Sequence, residues 1–157
     1  MVIFDIEASG LHPESYPIEI AWQDSNEPSH FDSFFIRPTS NWTYWDDYAE
    51  TEIHCTSRDT IVAQGISVED ACLRLNQSLK EKIIYSDAIE YDRHWMMKLF
   101  DEAGVKPTFN FGSVLDTLPE DGEFRLSQLT ETAYIKHRAL DDARQIAGWV
   151  DQLINEK

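Results

Sequence analysis

The chain begins MVIFDIEASGL (residues 1–11), a stretch that reads as buried strand yet carries Asp5 and Glu7. Val2, Ile3, Phe4 and Ile6 supply its strand character. Side chains alternate along a strand, so residues two apart share a face. Both carboxylates therefore point the same way, opposite Ile6. Two like charges so close repel, and each tends to keep a proton. A divalent cation removes that conflict, and oxygen-only ligands suit Mg²⁺ or Mn²⁺. Alone, an acid-x-acid pair fits surface carboxylates on a frayed strand equally well, so the rest of the chain must decide.

Outward from this strand, PIEIAWQD (17–24) alternates apolar and polar residues and reads as its neighbour. SHFDSFFIRP (29–38) reads as a third strand stopped by Pro38. The short separations predict an antiparallel meander, because parallel pairing needs longer crossovers. NWTYWDDYAETEIHCT (41–56) reads as loop or short helix. The period then switches: Ser67 with Glu69 and Asp70 behind it marks a helix start. IIYS (83–86) is expected to be a short buried strand. Tyr91 to Ala103 reads as helix, ending at Gly104 with Pro107 beyond. FNFGSVLD (109–116) is a fifth strand, and LSQLTETAY and ALDDARQIAGWVDQLI are helices. This order, βββ-α-β-α-β-α-α, predicts an α/β domain around a mixed sheet.

The length of 157 residues suits a single domain over 1–157. The net charge is −16, from 29 acids against 13 Lys and Arg. Proteins that grip long polyanions usually display a basic stripe, so bulk charge is not what holds such a substrate here. Cys55 and Cys72 show neither metal spacing nor a disulfide framework, which predicts a reducing, cytoplasmic setting. No run reaches the length of a membrane span, and no signal peptide precedes Met1.

Two helices supply further acids. Asp92, Trp95, Met96, Leu99 and Phe100 fall on one helical face, so Asp92 opens an apolar stripe. The favourable field at a helix N-terminus accounts for an acid there equally well. In the last helix Ala139, Asp142, Ala143, Ile146 and Val150 form the inward stripe, whereas Asp141 lies with Arg138 and Gln145 on another side. Helical phase thus selects Asp142 over Asp141. His137, five residues before it, is a candidate base.

At this point FDIEASGL, YDRHWM and HRALDDA resemble the three exonuclease motifs of the DEDDh 3′–5′ exonucleases, the superfamily of polymerase proofreading subunits. Asp5 and Glu7 match the first motif, Asp92 the second, and His137, Ala139 and Asp142 the third. The segment EIHCTSRDTIVAQGISVEDA is more weakly similar. The second motif often carries His-Asn before its Asp, where this chain has Asp87-Ala88, and Asp87 is a further polar candidate. Cys55 stands where the family often has Gly.

The resemblance implies a ribonuclease H-like fold, a five-stranded mixed sheet flanked by helices. It implies two Mg²⁺ or Mn²⁺ ions held by Asp5, Glu7, Asp92 and Asp142, with Asp5 bridging both. Glu7 and Asp142 would sit on the nucleophile side, and Asp92 would act partly through water. His137 would be general base, a task that an imidazole titrating near neutrality suits. Ala8, Ser9, Gly10, Leu11 and His54 would contact the terminal nucleotides. The implied activity is 3′–5′ hydrolysis of single strands, DNA favoured, releasing nucleoside 5′-monophosphates. RNA or short oligoribonucleotides are the alternative substrates. A catalytically silent binding module is the alternative of another class. A polymerase or another protein is compatible as partner.

Overall fold

The computed structural model describes residues 1–155. Five strands form one sheet: β1 (Val2–Ala8), β2 (Pro17–Asp24), β3 (Phe31–Phe35), β4 (Ile83–Ser86) and β5 (Asn110–Ser113). Their order is β3-β2-β1-β4-β5. The first three are antiparallel and β4 and β5 run parallel to β1, so the sheet is mixed, as expected. The helices are α1 (Arg58–Gln64), α2 (Val68–Ser78), α3 (Ile89–Ala103), α4 (Gly122–Thr132) and α5 (Ala139–Asn155). A π-helical turn covers Ala49–Ile53, and a 3-10 turn over Val114–Thr117 follows β5.

Alternation along β1 divides the core. Val2, Phe4 and Ile6 pack with Leu75 of α2 and with Trp95, Met96, Leu99 and Phe100 of α3. Ile3 faces the other way, into Leu126, Ala143, Ile146 and Val150 of α4 and α5. Helices therefore cover both faces of the sheet. Each large apolar side chain so buried contributes about 1.5–3 kcal/mol.

Local signals set the helix ends. Ser67 Oγ accepts the Asp70 amide at 3.1 Å, capping α2. Gly104, at φ +68°, ends α3 in the left-handed conformation that glycine adopts without strain.

Several elements differ from their sequence reading. α1 was not anticipated, because only Ile61 of its seven residues is buried and no stripe is visible. β3 stops at Phe35; Ile36 still donates to the Ile18 carbonyl of β2 but bridges Ile66 on its other side. β5 gives way to the 3-10 turn after Ser113, and β4 is buried mainly at Ile84 and Ser86 while Ile83 is exposed. The polar residues of β2 are buried as well. Glu19 and Gln23 are buried because α5 lies over them, with Arg138 and Arg144 as their partners.

The topology opens a cleft at one end of β1. β4 pairs with β1 only at Val2 and Ile3. Beyond Ile3 the two strands part, leaving Asp5 and Glu7 beside a gap at the carboxyl end of the strand. On the other edge, a register shift between Glu7 and Ala8 interrupts the pairing with β2. Such irregularities re-aim side chains next to sites.

Candidate active site

Asp5, Glu7, Asp87, Asp92, His137 and Asp142 line one cleft of about 470 Å³. β1 supplies the first two, on the face shared with Ile3. α3 brings Asp92 from the opposite layer, 3 % exposed, to the point where β1 and β4 diverge. There it accepts hydrogen bonds from the Ser86 hydroxyl and the Ile6 amide. α5 packs on Ile3 and so carries Asp142, in its first turn, down onto Glu7. Asp141 is exposed, and its carboxylate accepts from Lys136 at 3.2 Å.

The donors fall into two groups. One ligand atom from each of Glu7, His137 and Asp142 lies within 4.8 Å of the others, and the same holds for Asp5, Asp87 and Asp92. His137 has φ +54°, a left-handed backbone that few non-glycine residues adopt. It lies two residues before α5, whose start is fixed to the sheet by the intervening Arg138.

The electrostatics are those of crowded, dehydrated carboxylates. Burial pushes the Glu7 carboxyl up to about 8, with the Asp142, Glu19 and Asp92 charges adding to it and Arg138 opposing. Burial raises Asp92 to about 7, although the Ser86 bond pulls it down. Asp5 is raised well above the usual carboxylate range, by burial first and then by Asp92, Glu7, Asp142 and Asp87. Burial raises Asp142 as well, opposed by His137 and by the Lys136 and His137 amides. Asp87 is raised by the surrounding protein, yet its side chain is exposed at the cleft mouth and stays in reach of water.

A divalent cation fits this donor set. Asp5 Oδ2 and Asp142 Oδ1 are buried without a hydrogen-bond partner, and buried polar atoms rarely remain so. The donors are carboxylate oxygens and one imidazole, a set that a divalent metal ion can use. Bound positive charge would also relieve the repulsion that raises these carboxyl groups.

Of the residues expected to contact nucleotides, Ala8, Gly10 and Leu11 line the cleft. Leu11 is 82 % exposed at its rim. Ser9 is not brought there. It is fully buried, its amide donates to the Tyr16 carbonyl, and its hydroxyl accepts the Tyr16 amide. His54 is also outside the cleft lining, buried edge-on against Trp45, with Nδ1 accepting the Thr56 amide. Burial lowers its imidazole below the usual value. Of the aromatic segment, Trp42 stacks on Tyr16 in the core, whereas Tyr48 reaches the cleft. Tyr91, Trp95, Ile53 and Ile135 complete an apolar wall there.

Sequence reasoning missed Glu19 as part of this site. Glu19 stands opposite Glu7 across the β1–β2 ladder and is neutralised by Arg138. The available signal was an acid inside PIEIAWQD, a strand that α5 turns out to cover.

No protein-family model matches the chain, and no curated protein matches it. Solved structures do. A zinc-bound complex of E. coli exonuclease I with single-stranded DNA superposes with a TM-score of 0.76 at 17% identity, over 98% of this chain and 39% of that one. E. coli exonuclease I in complex with a dA16 oligonucleotide gives 0.74 at 17% identity, over 98% and 40%. Exonuclease I from Methylocaldum szegediense gives 0.72 at 15% identity, over 96% and 40%. The chain thus spans about two-fifths of the exonuclease I chains it matches. At these identities the likeness defines the fold, which is α/β and ribonuclease H-like.

Proposed function

We propose that the chain is a metal-dependent 3′–5′ exonuclease. It acts on single-stranded 3′ ends, DNA favoured, and releases nucleoside 5′-monophosphates. The observation that carries this reading is the convergence of Asp5, Glu7, Asp92, Asp142 and His137 in one cleft. The fold shared with exonuclease I, solved in complex with single-stranded DNA, supports it. Residues 1–157 act as one domain in this reading.

Asp5, Glu7, Asp92 and Asp142 would hold two Mg²⁺ or Mn²⁺ ions, which when bound supply positive charge to the attacking and leaving oxygens of an in-line displacement. His137 takes a proton from the attacking water as its oxygen bonds to phosphorus. The bond from phosphorus to the 3′ oxygen breaks, and that oxygen leaves with a proton from solvent. Arg138 keeps His137 and Asp142 in place by anchoring the start of α5 to Glu19. Tyr48, Tyr91 and Leu11 offer apolar surface for the terminal base, and base–aromatic stacking contributes about 1–3 kcal/mol per base. Gly10 leaves room for backbone approach.

The net charge of −16 favours a second reading of the substrate: short oligonucleotides, DNA or RNA, held at the 3′ end rather than along a strand. A protein partner that grips the strand is equally compatible with this charge.

The test is hydrolysis of a 5′-labelled single-stranded DNA and its RNA counterpart with Mn²⁺ or Mg²⁺, beside Asp142→Ala. Stepwise shortening from the 3′ end is expected, abolished by EDTA and by the substitution. Failure to shorten either polymer, or a dinucleotide, would rule the activity out.

A further inference from the structure

We propose that Asp87 is a cation ligand, forming with Asp5 and Asp92 a three-carboxylate site that loads a divalent ion before any nucleic acid arrives. This rests on the metal-dependent reading above. Ligand oxygens of the three residues lie within 4.8 Å of one another. Oxygens around one Mg²⁺, at about 2.1 Å from it, stand about 3–4 Å apart, so a small closure suffices.

Two features point to a ligand rather than to acids meeting by chance. Asp5 Oδ2 is buried and has no hydrogen-bond partner, and Asp142, 8 % exposed, presents Oδ1 unpartnered to the same cleft. In addition, no Lys or Arg among the described residues ion-pairs with Asp5, Asp87 or Asp92. Three facing carboxylates therefore lack a compensating cation.

The local structure holds Asp87 where the site needs it. Ser86 Oγ donates to Asp92 Oδ2 and accepts the Ala88 amide at 2.9 Å. One hydroxyl thus ties the turn between β4 and α3, which carries Asp87, to the carboxylate of Asp92. Asp87 itself is exposed, so one side of a bound ion stays open to water and to a phosphate oxygen. Glu7, His137 and Asp142 make up the other group, leaving Asp87 to the first alone.

Asp87 also changes the charge of the filled cleft. Five carboxylates against two divalent ions leave one negative charge. Ion binding is strengthened and the approach of substrate phosphates is weakened.

The experiment is titration of the protein with Mn²⁺ alone, reading free ion by its paramagnetic resonance signal, without nucleic acid. The intact chain is expected to bind two ions. Asp87→Ala should weaken one at least about tenfold and leave the other unchanged, and Asp87→Glu should restore part of the loss. Asp87→Asn repeats the test should the alanine variant fail to fold, as judged by thermal unfolding. Two ions bound equally well by the intact and alanine proteins would overturn the role of Asp87 and leave the metal reading standing. No ion bound by the intact chain would overturn both.

Discussion

Arg138 forms a two-point ion pair with Glu19, Nε to Oε2 at 3.0 Å and Nη2 to Oε1 at 2.9 Å. It joins the first turn before α5 to β2, beside Glu7. The guanidinium also lies over the Phe35 ring at 5.4 Å. Its fork and planarity are both used, and lysine offers neither. Glu19 is 4 % exposed and Arg138 44 %. Arg138→Ala leaves a buried carboxylate unpaired and should cost about 1–3 kcal/mol, less than a wholly buried pair because Arg138 meets water. Arg138→Lys should recover less than half. Denaturant midpoints measure this, and an unchanged midpoint for the alanine variant would show that the pair does not hold α5.

The acid cluster makes metal-free stability depend on pH. Glu7 is raised from 4.5 to about 8 and Asp92 from 3.8 to about 7. In this window the folded chain holds protons that the unfolded chain has lost, so unfolding releases them and stability falls as pH rises. In EDTA the Tm should therefore decline between about pH 5 and about pH 8. Mg²⁺ competes with those protons, so the stabilisation it confers should grow over the same range. Thermal unfolding in EDTA and in Mg²⁺ tests both. A Tm that rises towards pH 8 in EDTA would contradict the burial of these charges.

Cys55 has φ +51°, a conformation that costs a side-chain-bearing residue roughly 1–2 kcal/mol. Cys55→Gly removes that strain but gives the unfolded chain more freedom. The net expectation is a gain of about 0.5–1 kcal/mol in chemical denaturation, without change in Mn²⁺ affinity. A loss of stability would mean that the Cys55 side chain holds the turn after Ile53.

If the substrate is held at its 3′ end, salt should matter little. Binding of a labelled single strand, followed by fluorescence anisotropy in Ca²⁺, should give a slope of log K against log salt equivalent to about one or two phosphates. Lengthening the strand should add little affinity. A slope of five or more would require a basic track that the surface charge gives no reason to expect.

Periodicity made much of the structure legible in advance. The stripe 92-95-96-99-100 is buried throughout, and Asp142 is buried where Asp141 is exposed. These follow because an amphipathic helix records in its own phase which side faces the sheet. Burial imposed by distant segments left no such record. Ser9 and His54 lie in polar-looking stretches, but Tyr16 closes over the first and Trp45 packs on the second. Glu19 was passed over because nothing in PIEIAWQD announces the arginine, more than a hundred residues later, that pairs with it. α1 escaped for the opposite reason, being too short to display a period.

The chain order of the cleft residues has a consequence for synthesis. A nascent chain that has emerged through α3 already carries Asp5, Glu7, Asp87 and Asp92, while His137 and Asp142 arrive only with α5, the last helix. Because α5 also supplies the apolar cover for Ile3, the group begun by Glu7 is completed in the same step that completes the core. A chain interrupted by stalling or proteolysis before that step therefore lacks His137 and Asp142, two of its six donors, and under the proposed mechanism the cleft stays silent until translation has passed Asp142.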